Sequence, residues 1–230
     1  MTNFSNIVIK KSKRKTLSIQ IDQQGNITIY APLHTPKILI NQFIKKHEAW
    51  INKHLQRISQ RNIKFTQKQF IDGEEFLYLG EKYPLIITYT TPKDLITFTQ
   101  DKFLLNPDVI DPLSLFQNWY KIQAQTVFQE QVQYYSNLMN LIPTAIKLTK
   151  AKTRWGSCNS NNTIRLNWKL IMAPLPIINY VIIHELAHIS QKNHSQQFWE
   201  IVKTFDPEYK KHKNWLKDFG YLLDLQAHRN

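Results

Sequence analysis

The sequence is poor in cysteine and glycine. Cys158 is the only cysteine among 230 residues, so no disulfide can form within the chain, and a zinc site built from several cysteine ligands is excluded. Only five glycines are present, and each is expected where a turn requires it. The hydrophobic share of 42% and the charged share of 20% exclude a disordered or collagen-like chain.

A long hydrophobic run is also missing. No stretch approaches the ~18 uninterrupted apolar residues that a membrane span needs. Near the N-terminus, the short apolar segment Ile7-Val8-Ile9 precedes the basic run at residues 10–15, which is the reverse of the order in a signal peptide. We therefore expect no membrane partner and a cytoplasmic location.

Acidic residues are few compared with basic ones. The chain has 17 Asp and Glu against 30 Lys and Arg, giving a net charge of +13. Much of the excess lies between Lys10 and Arg61, where Asp22 and Glu48 are the only acidic residues. This basic N-terminal region predicts nonspecific contact with polyanions. A solvated basic surface without a dedicated partner is the alternative, because the run at residues 10–15 has no interleaved aromatic residue.

The hydrophobic pattern predicts strands and helices in an order that changes near Asn106-Pro107. Before this point we expect a hairpin around Gly25, a helix over residues 38–59 and short strands over residues 63–105, with turns at 72–73, 79–80 and 91–92. After it we expect a helix over 111–139, strands over 146–155 and 163–170, and three helices, the first ending near Ser190. The predicted division is therefore a region 1–108 and a domain 109–230.

The segment His184-Glu185-Leu186-Ala187-His188 carries the clearest chemical signal. Histidines four residues apart on a helix lie on the same face, so both imidazoles can bind one metal ion. Glu185 lies about 100° further round the helix, where a carboxylate can act as a base on metal-bound water without being a ligand. A pair of core histidines held by hydrogen bonds is the simpler alternative, but it gives Glu185 no role.

A catalytic zinc ion needs a third protein ligand and one open position. His194 is the favoured third ligand, because the helix is expected to end near Lys192-Asn193 and Ser195 is a plausible N-cap for the next helix. Glu208 and His212 are the competing ligands.

Several of these segments together resemble the YgjP-like metallopeptidase family, a zincin-like group related to the SprT-like proteases. The resemblance rests on the four segments Thr153–Cys158, Ile164–Trp168, Tyr180–His188 and Asn193–Ser195. It implies an α+β fold, in which a zincin-like domain with a small antiparallel or mixed sheet and an active-site helix follows a β-rich N-terminal region with one long helix. It also implies that His184, His188 and His194 hold one Zn²⁺ ion and that Glu185 activates its water.

The resemblance and the pattern also suggest residues that contact the substrate. In zincins the strand before the metal helix lines the cleft as an edge strand, which places Ile164, Leu166 and Trp168 at the substrate. Arg154 is a possible partner for a carboxylate or phosphate, and a structural ion pair is the alternative.

The developing oxyanion and the lone cysteine give two further expectations. Tyr209 is the favoured residue to stabilise the oxyanion, ahead of Tyr180 and His212, and the alternative is that Tyr209 is an ordinary packed tyrosine. Cys158 is expected to be a small buried residue rather than a nucleophile.

Three functional hypotheses follow. The first is a zinc-dependent hydrolase of the metallopeptidase type, acting on a peptide or protein. The second keeps the metal and replaces the substrate by an anionic small molecule, such as the phosphoanhydride of a nucleotide, which suits the charge of +13. The third is a non-enzymatic nucleic-acid-associated module that uses the basic region Lys10–Arg61 and whose metal is structural.

Overall fold

The computed structural model describes residues 7–21, 25–64, 68–89, 95–151 and 153–226. The chain divides into two compact units, Met1–Thr66 and Gln67–Asn230. The turn predicted at Thr91-Pro92 lies outside the described residues. None of the described helices combines the length and the apolar character that crossing a bilayer demands.

The first unit is a three-stranded sheet followed by two helices. Its elements are β1 (Ile7–Ser12), β2 (Ser18–Ile21), β3 (Ile27–Pro32), α1 (Lys37–Lys46) and α2 (Glu48–Lys64). The predicted hairpin is confirmed, because β2 pairs antiparallel with β3. Strand β1 pairs parallel on the other side of β3, so β3 is central. Its alternating Ile27, Ile29 and Ala31 are buried and form a small core with Ile40 and Ile51.

The helix predicted over residues 38–59 is interrupted at His47. The backbone there (φ −105°, ψ 10°) leaves the helical region. The His47 ring packs on Phe43 at 4.4 Å between centroids, and its Nδ1 lies 2.8 Å from the Phe43 carbonyl oxygen. This local hydrogen bond separates α1 from α2.

The second unit contains two sheets and four helices among its described residues. Its elements are β4 (Glu75–Tyr78), β5 (Glu81–Ile87), β6 (Ile96–Thr99), β7 (Lys102–Leu105), α3 (Pro112–Met139), β8 (Ala145–Thr149), β9 (Gly156–Cys158), β10 (Thr163–Asn167), α4 (Leu175–Ser190), α5 (Gln196–Phe205) and α6 (Tyr209–Phe219). The sheet orders are β4-β5-β7-β6 and β8-β10-β9. The predicted α+β class is confirmed.

The division predicted near residue 108 falls inside the second unit. Phe76 of β4 stacks on Phe116 of α3 at 4.3 Å, and Phe103 of β7 contacts Trp119 at 4.9 Å. The Tyr120 hydroxyl also donates to the carbonyl of Leu77. Because these aromatic side chains share one core, residues 67–108 belong with the helices that follow them, and the division lies instead between Thr66 and Gln67.

Helix α4 is fixed at its start by a glycine turn. Gly80 has a φ of +90°, and a Cβ at this position would lie 2.7 Å from Cα of Pro174. The neighbouring Leu79 N–H donates to the Ile171 carbonyl at 2.9 Å. A glycine is therefore required where the β4–β5 turn meets the beginning of α4.

Candidate metal centre

Helix α4 places His184, Glu185 and His188 beside the core. The helix is apolar on nearly every side, which is why it is buried within the second unit. His184 and His188 are one turn apart, and their ring centroids are separated by 5.0 Å. The spacing in the sequence thus brings both rings to the same face, as expected.

The loop after α4 brings His194 to the same point. The helix ends at Ser190, as the hydrophobic pattern predicts, and Gln191 adopts an extended conformation (φ −124°, ψ 102°), so the chain leaves the helix two residues before Lys192-Asn193. The hydroxyl of Ser195 accepts a hydrogen bond from the N–H of Phe198 and caps α5, as predicted. His194 Nε2 then lies 3.0 Å from His184 Nε2.

The three histidines fit a single metal ion. Their ligand nitrogens lie within 4.8 Å of one another. His188 Nδ1 lies 2.9 Å from the Gln191 carbonyl oxygen, an arrangement that orients the ring and leaves Nε2 for a metal. The Nδ1 atom of His184 is buried and has no hydrogen-bond partner.

The protonation of these histidines also suits a metal. Burial, together with His188, His194 and Lys213, lowers the pKa of His184 to about 3. Burial, together with His188 and Lys213, lowers the pKa of His194. Both rings are therefore neutral at pH 7, which is the form that binds metals.

The competing third ligands are occupied elsewhere. The carboxylate of Glu208 lies 3.2 Å from Lys211 Nζ on the surface. His212 is buried, and its Nδ1 lies 2.8 Å from Asp206 Oδ2. The structure therefore brings His194, and neither Glu208 nor His212, to the pair on α4.

Glu185 lies next to this triad in an unusual environment for a carboxylate. Glu185 is only 5% exposed. Burial raises the pKa of its carboxyl group to about 8, and the positive charge of Arg154 acts against this rise. Strand β9 passes so close that a Cβ on Gly156 would lie 2.5 Å from Glu185 Oε1. Only glycine leaves the carboxylate its space, a requirement that the sequence alone did not reveal.

A cavity of about 340 Å³ opens in front of Glu185 and His184. It lies between β9, α4 and α6. The lining residues are Trp155, Gly156, Tyr180, Val181, His184, Glu185, Lys213, Leu216 and Lys217. The arrangement places a carboxylate, a possible metal ligand and cationic side chains around one space, which suits metal-assisted hydrolysis.

Comparison with known proteins identifies the family. The model of the family described as "YgjP-like, metallopeptidase domain" matches residues 15–219 of this chain. The chain belongs to the YgjP-like metallopeptidase family. Together with the histidine triad, this membership makes the protein a metal-dependent hydrolase.

Individual proteins resemble this YgjP-like chain to different extents. The UTP pyrophosphatase of Escherichia coli (strain K12) is 26% identical over 136 residues, which cover 57% of this chain and 70% of that protein. The metallopeptidase zymogen abylysin of Pyrococcus abyssi is 19% identical to this chain. The superposed residues cover 40% of this chain and 95% of abylysin, with a TM-score of 0.37. For jannalysin of Methanocaldococcus jannaschii, also a metallopeptidase zymogen, the identity is 22%, the coverages are 41% and 96%, and the TM-score is 0.36.

The predicted apolar substrate contacts do not face the cavity of this YgjP-like protein. Strand β10 is central in its sheet, paired with β8 and β9, rather than an edge strand. Ile164 and Leu166 have no exposed surface, and Trp168 is 5% exposed and stacks on Tyr120. These three residues belong to the core, and the edge strand beside Glu185 is β9.

The other predicted site residues differ in whether they line the cavity. Arg154 is exposed and acts on Glu185 electrostatically. Tyr209 stacks on Trp199, whose ring stacks in turn on His194. Tyr180, rather than Tyr209, lines the cavity, and its pKa is raised to about 12 by burial, so its hydroxyl is a protonated donor. The assignment of Tyr209 as oxyanion donor stays a prediction.

Two further residues shape the site without a signal in the sequence pattern. Asn167 ties down the loop before β9, since its Nδ2 donates to the Ala151 carbonyl at 2.9 Å and its N–H donates to the Trp155 carbonyl at 2.8 Å. Asp206 fixes the ring of His212 on α6, since Asp206 Oδ2 lies 2.8 Å from His212 Nδ1.

Cys158 is partly buried, and burial raises the pKa of its thiol, which does not suit a nucleophile.

Proposed function

We propose that this protein is a zinc-dependent hydrolase that adds water across a phosphoanhydride bond of a nucleoside triphosphate, releasing a monophosphate and pyrophosphate. The carrying observation is the charge around the cavity. Lys213 and Lys217 line it, and Glu185 is the one carboxylate among its described lining residues. Such a site attracts a polyanion such as a triphosphate.

The cations act on the reacting groups themselves. Lys213 contributes to the lowered pKa of both His184 and His194. Arg154 acts against the rise in the pKa of Glu185 that burial causes. These charges are therefore felt at the metal triad and at the carboxylate. They are placed to stabilise the negative charge that grows on a phosphoryl group during displacement.

The residues of the chain divide the remaining work. His184, His188 and His194 would hold a zinc ion, which would act as a Lewis acid and lower the pKa of water to ~7. Glu185 would accept the proton of the attacking water, and its raised pKa makes the carboxylate a stronger base. Glu185 then passes this proton on to the leaving phosphate oxygen.

The name of one relative supports this choice of substrate. The related protein of Escherichia coli is called a UTP pyrophosphatase. We infer the same class of bond for this chain, without extending the preference for uridine to it. The cytoplasm, where nucleoside triphosphates are made and used, is the proposed location.

Peptide hydrolysis is the second proposed activity, favoured by the position of β9. This strand pairs with β10 on one side only and lies against Glu185 at Gly156. An extended peptide adds readily to such an edge. However, β9 has three residues and offers few hydrogen bonds.

A substrate screen of the zinc-loaded protein separates the two activities. We expect release of pyrophosphate from nucleoside triphosphates, inhibition by a chelator, and no cleavage of a casein-derived peptide mixture. Cleavage of peptides without nucleotide hydrolysis would replace the first proposal by the second. No chelator-sensitive hydrolysis of either substrate would contradict both.

A charge variant tests whether the cavity lysines select the substrate. Lys213→Gln is expected to lower kcat/KM for the nucleotide about tenfold, because a cation beside the phosphates is lost. The matched control is Lys203→Gln on the exposed face of α5. Equal kcat/KM values for the two variants would remove Lys213 from the mechanism.

A further inference from the structure

The first unit carries an excess of positive charge, and its core contains none of it. Its described residues include twelve Lys and Arg but a single carboxylate, Glu48. Eight of the lysines are exposed: Lys10, Lys11, Lys13, Lys15, Lys37, Lys45, Lys46 and Lys53. Since its core is small and apolar, these cations act mainly on molecules outside the unit.

One face of α2 arranges part of this charge around an aromatic side chain. Trp50, Lys53 and His54 follow one another on α2 at positions i, i+3 and i+4, and we call these three residues the Trp50 face. Lys46 is the last residue of α1, four positions before Trp50 and across the break at His47. The sequence continues the same spacing through Arg57.

The apolar face of α2 is turned toward the sheet. Ile51 is fully buried, Ile58 is 9% exposed, and Leu55 packs against the small core. At ~100° per residue these residues are centred about 110° round the helix from the Trp50 face, so the Trp50 face lies to the side of the core of its own unit.

The tryptophan itself is open to solvent. Trp50 is 43% exposed, and the ring of His54 stacks on it with centroids 4.4 Å apart and planes inclined by 28°. A basic surface that only promotes solubility needs no exposed indole. An exposed indole among cations is instead typical of surfaces on which nucleic-acid bases stack while lysines contact phosphates.

We propose that the Trp50 face binds single-stranded nucleic acid, with a base stacked on Trp50, one phosphate held by Lys53 and a neighbouring phosphate held by Lys46 at the end of α1. A duplex keeps its bases stacked inside and cannot offer one to the indole. A membrane surface fits less well, because an interfacial helix inserts its apolar face, and the apolar face of α2 is already covered by the sheet.

The test measures fluorescence anisotropy of labelled 20-mers with the full chain over a range of salt concentrations. The probes are oligo(dT), oligo(rU) and a DNA duplex of equal length. We expect both single strands to bind more tightly than the duplex. Trp50→Ala should weaken binding at least about fivefold, as the loss of one stacked base requires, while Trp50→Phe should stay within twofold of the parent.

The lysines have a different signature from the tryptophan. The double variant K46Q/K53Q should lower the slope of log affinity against log salt by about 1.4, because two phosphate contacts are lost on a single strand. Tyr89→Ala and Lys147→Gln are the matched controls, since both residues are exposed and lie in the second unit. Both controls should bind within twofold of the parent.

Three results would overturn the proposal. The first is equal affinity of the Trp50→Ala and Tyr89→Ala variants for oligo(dT). The second is tighter binding of the duplex than of either single strand. The third is Trp50-dependent sedimentation with phosphatidylserine vesicles in a protein that does not bind the oligonucleotides, which would assign the face to a membrane instead.

Discussion

The two units differ in what they bury. In the first unit the buried residues that the structure describes are all apolar, whereas Arg14 and Glu48 are half-buried and eight lysines are exposed. In the second unit a large aromatic core also surrounds polar groups, among them Asn167, Glu185, Asp206 and His212. Burying such groups costs free energy, which a large core offsets and a small one does not.

The comparison teaches where each kind of function belongs in this chain. The pKa of Glu185 and that of His184 are shifted by burial, so their chemistry depends on the core around them. The eight lysines of the first unit whose burial the structure describes are exposed and act through long-range attraction. Substitutions at the buried polar groups of the second unit, or against them, should therefore alter catalysis or stability more than substitutions at exposed residues.

The largest effect is expected from Glu185→Gln. The amide keeps the size of the side chain but cannot accept a proton, so hydrolysis should fall about 10²–10⁴-fold while the bound metal is retained. Turnover and metal content are measured on the same preparation. Glu200→Gln, at an exposed carboxylate on α5, is the control and should keep full activity. Comparable turnover by both variants would remove Glu185 from its role.

The contribution of Glu185 to the stability of the metal-free protein should fall as pH rises from 5 to 8. The folded pKa of Glu185, about 8, lies above its unfolded value of 4.5, so its stabilising contribution is complete below pH 4.5 and is lost as pH rises through 8. The expected difference is about 3–5 kcal/mol in the free energy of unfolding.

The same Glu185→Gln variant isolates this contribution. Urea unfolding of the metal-free parent and variant at several pH values should show the variant gaining stability over the parent with rising pH. Below pH 6.5 the lowered pKa of His184 destabilises both proteins on acidification, and this part cancels in the difference. A difference that does not change with pH would show that Glu185 is not buried as described.

Breaking the buried Asp206–His212 pair should cost more stability than breaking a surface pair. Asp206→Ala is expected to lower the free energy of unfolding by about 3 kcal/mol, since His212 loses its partner inside the protein. Lys82→Ala removes the exposed pair with Glu75 and should cost less than about 1 kcal/mol. Equal losses in urea unfolding would contradict the contrast between buried and exposed polar groups.

Gly156→Ala gives a smaller but more local effect. The added methyl group would meet the Glu185 carboxylate, so kcat should fall about tenfold while metal content stays that of the parent. Gly73→Ala is the control, because a Cβ there meets no atom within 4 Å although φ is +78°. That variant should lose some stability but no activity. A normal kcat for Gly156→Ala would mean that β9 yields without moving Glu185.

Local patterns in the sequence predicted the parts of the fold that depend on near neighbours. The spacing of His184 and His188 sets their shared face through helix geometry alone, and Ser195 caps the next helix by a contact three residues away. The hairpin around Gly25 and the long helix α3 follow from periodicity in the same way.

Features that depend on distant parts of the chain were not predictable. Strand order places β10 between β8 and β9, and alternation along one strand does not reveal its neighbours. The boundary at residue 108 was misplaced because Phe76 and Phe103 find their aromatic partners on α3. The approach of Gly156 to Glu185 and the Asp206–His212 pair are likewise tertiary contacts.

The metal content of histidine variants tests the account most directly. The parent, loaded with zinc and freed of excess ion, should contain one ion per chain by elemental analysis. His194→Ala should lose most of it to a competing chelator, whereas His34→Ala in the first unit and His212→Asn near the cavity should keep the full ion. Retention of one ion by His194→Ala, or its loss in His212→Asn, would contradict the claim that His184, His188 and His194 form the metal site.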